Sequence, residues 1–352
     1  ILSLILPRGR VFPVKFRIID SLTLITFNFC RTMRVFRGLP PELLKRPSAV
    51  AIGNFDGVHL GHQCLLRMVC QAAHDRGLVP SVVTFEPHPK DFFGRGVEVA
   101  RISTLYDKVL RILATGIERI YILPFRHSLA SLTAEDFVKN VLIDGLHTFW
   151  MTVGEDFRFG SDRKGSVETL EAMSKTLPFE VFVQPMLFHE TARISSSRIR
   201  RVLAEGNLYE AAQMLGRPYS MMGRVIHGAE LGRTLGFPTL NMAPIPPGSH
   251  SHPAVHGVFA VRVKGLGHAT LNGVASIGRK PTVASDGRYL LETNVFDWKG
   301  DAYGRLVEVE FVEHLRGEKK FSGLEELRAA IESDASRARR ILGCPLPGDS
   351  VQ

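Results

Sequence analysis

The feature that most limits the fold is a change of texture near Gly216-Arg-Pro-Tyr219. From residue 49 to about 215, short β-like apolar runs alternate with helical periodicity, the pattern of βαβ units around a parallel sheet. Residues 82–85, 120–123 and 149–153 read as central strands. Leu65, Leu66, Val69, Cys70 and Ala73 mark one helix face, and Leu105, Val109, Ile112 and Leu113 mark another. Beyond the change, strand-like pieces at 258–263, 289–296 and 306–311 are separated by Gly and Pro turns. One helical stretch follows from about 324 to 342, with Leu324, Leu327, Ile331 and Leu342 as its expected covering face. The expected fold class is α/β plus all-β: a parallel sheet with helices, then a small antiparallel barrel or sandwich closed by a helix. Residues 243–253, rich in Pro, Ser and His, read as a surface loop of the second part.

Size agrees with two domains, because 352 residues exceed the usual span of one core. No apolar run approaches the roughly 20 residues that cross a bilayer, which excludes a helical membrane protein. The net charge of +9 invites a nucleic-acid reading, but the first 32 residues set five basic side chains against Asp20 alone. The remaining basic residues are spread, as a phosphate-bearing small substrate would equally require, so no nucleic-acid partner is expected. Cys30, Cys64, Cys70 and Cys344 form no CxxC pair or zinc spacing, which points to a reducing, cytoplasmic setting. Residues 1–32 are expected to be a non-native or disordered extension, with Met33 as the natural start; a cleaved basic targeting segment is the alternative. The expected domains are then 33–215 and 216–352.

The first chemical centre is Ala49-Val-Ala-Ile-Gly-Asn-Phe-Asp-Gly-Val-His-Leu-Gly-His-Gln63, read as strand, turn and helix start. Glycines such as Gly53 and Gly57 at such a turn admit a ligand to the backbone, and the helix N terminus offers unpaired N–H groups to an anion. His59 and His62, at i and i+3, lie on one side of the first turn and add donors for phosphate. A Walker lysine is absent. Further along, 84–89, 153–160 and 194–200 each adjoin an expected strand, where α/β folds place ligand loops. In the last, Ser195 or Ser196 suits an N-cap, and Arg198 and Arg200 are free to meet phosphates.

The HxGH of His59-Leu-Gly-His62 resembles the signature of nucleotidylyltransferases. Together with Glu86-Pro-His-Pro89, Asp156-Phe-Arg-Phe-Gly160 and Ile194-Ser-Ser-Ser-Arg198, it resembles the FMN adenylyltransferase module of bacterial bifunctional riboflavin kinase/FAD synthetases. The resemblance runs from Met33 to the end of the chain. It implies a Rossmann-like nucleotidylyltransferase sheet followed by a Greek-key barrel with a terminal helix. It further implies that Asn54, Gly57, His59, His62, Ser196, Ser197 and Arg198 handle ATP phosphates. Glu86, Pro87, His88, Pro89, Asp156 and Phe157 are implied to line the flavin and nucleotide sites. Ser197 stands where family members usually carry threonine, and the hydroxyl is kept.

The second centre, residues 223–241, has glycines at 223, 228, 232 and 236, too irregular for a dinucleotide fingerprint. A Gly-rich loop ending in Pro238, Thr239 and Asn241 suits a triphosphate and its metal, with the Thr239 hydroxyl ligating magnesium. Turns between barrel strands explain the glycines equally well. Gly236-Phe-Pro-Thr-Leu-Asn241 resembles the GFPTAN motif of riboflavin kinases, with Leu240 for the usual alanine. Residues 273–282 and Leu291-Glu-Thr-Asn-Val-Phe-Asp297 resemble the next two kinase motifs, Asn294 standing where many members have histidine. By this resemblance Glu292 is the catalytic carboxylate; by strand alternation alone it is an outward-facing, solvated glutamate.

The resemblance implies two ATP- and Mg2+-dependent steps, riboflavin to FMN and FMN to FAD, with riboflavin, FMN, FAD and ATP as partners. Adenylyl transfer needs no protein nucleophile, because the FMN phosphate is one already. Two rivals stand beside this reading: adenylylation of another phosphorylated acceptor, and a flavin- or nucleotide-binding regulator with decayed chemistry. Oligomeric state is left open.

Overall fold

The computed structural model describes residues 2–5, 11–19, 22–26, 32–94, 98–190, 192–228, 231–246, 249–280 and 288–345, with side chains from residue 33 onward except those of Leu231, Arg233 and Lys280. The chain forms two compact units: Ile1–Val97 with Lys108–Ile194, and Glu98–Asp107 with Ser195–Gln352.

The first unit is built on a nine-stranded sheet. Its six-strand core is parallel, in the spatial order Thr32–Arg37, Arg119–Pro124, Val79–Glu86, Ser48–Ile52, Thr148–Gly154, Glu180–Gln184. Ser48–Ile52 is buried at every residue, as a central parallel strand covered on both faces must be. The helix Leu60–Arg76 lays Leu65, Leu66, Val69, Ala72 and Ala73 inward and stops at Gly77 in the left-handed region. Phe36, Val50, Val83, Tyr121, Leu142, Met151 and Leu170 belong to one buried cluster. From Ser48–Ile52 the chain crosses to Val79–Glu86 on one side, whereas from Thr148–Gly154 it crosses to Glu180–Gln184 on the other. Reversal between these neighbouring strands opens a crevice at their carboxyl ends, where such sheets bind ligands. Of residues 1–32, expected to lie outside the fold, the described segments Leu2–Ile5, Val11–Ile19 and Leu22–Thr26 join the same sheet as antiparallel strands. Their alternation of basic and apolar residues has the period of a strand.

The second unit carries a six-stranded antiparallel sheet in the order Ser220–Arg224, Leu306–Arg316, Gly257–Lys264, Leu271–Lys280, Arg288–Val295, Leu240–Met242. A bridge from Ile226 to Asn241 draws the two edges together into a nearly closed barrel. The terminal helix Leu324–Leu342 covers it by the expected face except in its first turn: Leu342 packs on the barrel cluster, Leu327 and Ile331 are half-buried, Leu324 is 60% exposed, and Ala335 and Ala338, at helical spacing from these, belong to the cluster with Val258, Ala260 and Val274. The expected loop at 243–253 is also partly ordered structure. Its end, Ser251–Pro253, pairs in parallel with Val99–Arg101, and Ile245 and Ser251 are buried.

Candidate active sites

In the first unit the chain leaves Ser48–Ile52 through Gly53, whose N–H donates to Val83 O at 3.1 Å. Phe55, Gly57 and Val58 then take φ values of 50°, 82° and 42°. Positive φ costs a phenylalanine or valine about 1–3 kcal/mol, and both side chains are 1% exposed, so core burial holds the strained turn. The turn delivers His59 as the N-cap of Leu60–Arg76. Its Nδ1 accepts the His62 N–H at 3.3 Å, which assigns the ring proton to Nε2. The His62 ring stacks on it at 3.6 Å and 16°. Gly61 belongs to this arrangement, because a Cβ there would press on the His59 ring at 3.2 Å. Asn54 offers a buried Oδ1 without a hydrogen-bond partner among the described residues, and its carbonyl accepts from Thr84 Oγ1 at 3.2 Å.

The loop after Val79–Glu86 is used less as its residue types suggest. His88, 3% exposed, caps the short helix Pro89–Phe93 by accepting the Lys90 N–H, and Glu86 faces Lys108 Nζ at 3.8 Å. Pro87 is exposed and Pro89 half-buried. Sequence reasoning missed what lies beside them. Phe85, Phe92, Phe93 and Phe125 meet edge to face at centroid distances from 5.2 to 5.8 Å, with Phe92 and Phe93 40% and 58% exposed. A strand end, a short helix and the residue after a second strand contribute, and only the Phe92-Phe93 pair next to a Pro-rich turn signals the cluster locally. After Thr148–Gly154, the Asp156 carboxylate pairs with Arg193 at 2.6 Å, and Phe157 stacks on Phe159 at 5.4 Å and packs on the core. Loops 53–59, 86–89 and 155–160 thus leave the same carboxyl edge of the sheet.

Ser195–Arg198 falls in the second compact unit. Ser195, rather than Ser196, caps the helix Ser196–Ala204, accepting the Arg198 N–H at 3.2 Å. Arg198, expected from sequence to be free for phosphate, is instead engaged by a carboxylate. Glu210, on the next helix, takes its Nε at 3.1 Å and Nη2 at 2.8 Å, and Asn207 holds the other carboxylate oxygen. A two-point contact of this kind fixes the guanidinium and makes any phosphate compete with Glu210.

On the barrel, Glu292 stands in register between Ser276 and Asn241 on neighbouring strands, with Val258 beyond Ser276. These side chains share the outer face of the barrel wall, while Leu291, Thr293 and Val295 point into the core. Glu292 is half-buried rather than solvated. Asn241 is 5% exposed, and its Oδ1 has no hydrogen-bond partner among the described residues. A Cβ on Gly228 would stand 2.3 Å from Asn241 Nδ2, so only glycine fits there without displacing the asparagine. Asn294 donates to Pro238 O at 2.8 Å and ties the 236–241 segment to the central strand. Thr239 is half-buried in that segment. Just past the strand, two hydrogen bonds from Arg339 hold the Asp297 carboxyl below the usual carboxylate range, and the same guanidinium lies 4.3 Å from the Phe296 ring centre. Ala229, Glu230, Pro281 and Thr282 lie outside the described residues.

An anion-ready helix start at a sheet switch point, joined to a barrel with a carboxylate beside an unfilled amide oxygen, defines a two-site protein of the phosphate-transferring class. Residues 42–198 match the family model described as FAD synthetase, and residues 215–342 match riboflavin kinase. The first match runs through Arg198 and so spans the cut between the compact units. A bifunctional riboflavin kinase/FMN adenylyltransferase of Escherichia coli is 37% identical over 318 residues, 90% of this chain and all of the relative. A protein of the same description from Haemophilus influenzae is 38% identical, over 87% of this chain and 98% of its own. The chain belongs to the bifunctional riboflavin kinase/FMN adenylyltransferase family. A crystal structure described as a macrolide-efflux protein from Streptococcus pneumoniae superposes with a TM-score of 0.65 and 30% identity, over 87% of this chain and 98% of that one. The efflux description stays with that protein: among the described residues no helix is long and apolar enough to cross a membrane.

Proposed function

We infer that the barrel unit phosphorylates riboflavin to FMN and that the N-terminal module adenylylates FMN to FAD, releasing pyrophosphate. The observation that carries this reading is the coexistence in one chain of two phosphate-handling sites with different chemistry. One is a helix N terminus capped by stacked imidazoles. The other sets Glu292 beside Asn241.

In the kinase, Glu292 accepts the proton of the ribityl 5′-hydroxyl as the oxygen attacks the γ-phosphate of ATP. Asn294 and Gly228 hold Thr239 and Asn241 in place for the triphosphate. The buried, unpartnered Asn241 Oδ1 and the Thr239 hydroxyl are hard oxygen donors of the kind Mg2+ takes. Bound there, the ion would offset negative charge on the phosphates.

In the adenylyltransferase the FMN phosphate attacks the α-phosphorus of ATP. His59 Nε2–H, His62 and the first N–H groups of Leu60–Arg76 steady the charge, with Asn54 and Gly57 shaping the turn. We assign Ser196, Ser197 and Arg198 to the leaving pyrophosphate, with Glu210 as the resting partner that phosphate displaces. The flavin ring is placed against Pro87, Pro89 and the exposed rings of Phe92 and Phe93, whose apolar faces suit a planar heteroaromatic. Asp156, Phe157, Glu86 and His88 shape the walls of these loops. Among the described residues Cys64 and Cys344 are not in disulfides, which supports placing the enzyme in a reducing compartment such as the cytoplasm.

A time course with riboflavin, ATP and Mg2+, resolved by chromatography, tests both halves. FMN should appear first and FAD after it. Wild-type protein that makes FMN but no FAD, even from added FMN, would remove the adenylyltransferase half.

A further inference from the structure

Lys108, on the helix Leu105–Leu113, is fully buried, an uncommon place for an ammonium group. Its Nζ lies 3.5 Å from Thr84 Oγ1 and 3.8 Å from Glu86 Oε2. Thr84 and Glu86, at i and i+2, share one face at the carboxyl end of Val79–Glu86, and Thr84 is itself fully buried. An ammonium can only donate, so the Thr84 hydroxyl accepts from Lys108 and directs its own proton to Asn54 O at 3.2 Å. Every link has one allowed direction, from Lys108 through Thr84 to the strained turn that carries Asn54 and delivers His59. A second branch reaches Glu86, at the root of the 86–89 loop.

We propose that Lys108 is a positioning residue for adenylyl transfer, setting the nucleotide turn through Thr84 and the flavin loop through Glu86. This rests on the adenylyltransferase reading above. A buried charge of this kind is retained at a desolvation cost that a methionine would avoid. Its directed contacts supply what a methionine cannot, a fixed separation between the two loops that must bring FMN phosphate and ATP into line. Lys108 touches neither substrate in this scheme and acts only through Thr84 and Glu86.

The test uses the full-length chain, whose riboflavin kinase activity reports on folding of the rest of the molecule. Lys108→Met should lower kcat for FAD formation from FMN by about 100-fold, the size expected when reactants sit about 1 Å out of place, with KM for ATP changed much less and kinase activity kept. Thr84→Val should reproduce part of the loss and Thr84→Ser should restore it. The Lys108→Met/Thr84→Val double variant should lose less than the product of the two single losses, because one chain of contacts is being cut twice. Should Lys108→Met fail to fold, the Thr84→Val and Thr84→Ser pair carries the test alone. Wild-type rates in Lys108→Met or Thr84→Val, or losses that multiply independently, overturn the proposal while leaving the enzyme's assignment intact. Wild-type protein unable to make FAD from FMN overturns the assignment beneath it.

Discussion

The two sites differ in what holds them. The N-terminal one is a backbone site: a turn with three successive-region positive φ values, a helix start, and a histidine whose own cap bond orients it. The barrel site is a side-chain site, set by strand register, in which Ser276, Glu292 and Asn241 fall in line across three strands. The difference follows the nucleophile. A phosphate monoester arrives already ionised and needs positioning and charge stabilisation, so no carboxylate is required at its side. A ribityl hydroxyl arrives neutral and needs a base, the role proposed above for Glu292 of the barrel site.

That contrast breaks most sharply at Glu292. Glu292→Gln keeps the shape and removes the base, and should cut riboflavin phosphorylation by about 1,000-fold while FAD formation from supplied FMN stays unchanged. Equal loss of both activities would refute the division of labour. His62→Ala is the mirror experiment. It removes the ring stacked on His59 and should lower FAD formation by about 100-fold, so that riboflavin and ATP yield FMN that accumulates. Gly228→Ala is a smaller probe of the side-chain site. The added methyl would meet Asn241 Nδ2, and displacement of that amide should slow the kinase by about tenfold with the adenylyltransferase unaffected.

The backbone site was the more legible in sequence, and the reason is local. Strand, glycine turn and HxGH lie within one continuous segment, and Leu60–Arg76 begins where the His59 cap requires. The loop order also carried through, since 53–59, 86–89 and 155–160 all leave one edge of the sheet. Side-chain partnerships across the chain were not legible. Arg198 reads as a phosphate ligand open to solvent, yet Glu210 on the following helix takes it, and no spacing rule announces that pairing. Lys108 reads as one charge on an amphipathic helix, and only tertiary packing puts it beneath Thr84. The terminal helix was legible in its covering face, on which Leu342 packs, but not in its most buried members: Leu324 is exposed, and the small Ala335 and Ala338, which hydrophobic size alone does not single out, are buried.

The smallest effect concerns how the terminal helix is tied to the kinase strand. Arg339, on Leu324–Leu342, makes two hydrogen bonds to Asp297, at 2.8 and 2.9 Å. Asp297 sits at φ 56°, a conformation that asparagine tolerates as well as aspartate, so Asp297→Asn removes the charge without straining the backbone. Arg339 keeps its contacts with Pro345 O and the Phe296 ring. The Asp297 side chain is 72% exposed, so solvent screening holds the pair to about 0.5 kcal/mol. The sign follows from the direction of the shift. Because the folded-state pKa lies below the unfolded value near 4, the pair's stabilisation is full above about pH 4 and disappears as pH falls through the folded pKa. Trp150 lies in the first unit and Trp298 in the second, so a Trp150→Phe background lets fluorescence follow the barrel alone. Urea midpoints there should separate wild type from Asp297→Asn at pH 7 in low salt and converge near pH 2. A gap that persists at low pH would mean that the carboxylate's charge is not what ties the helix down, and that Phe296, Ala335 and Ala338 hold it by packing alone.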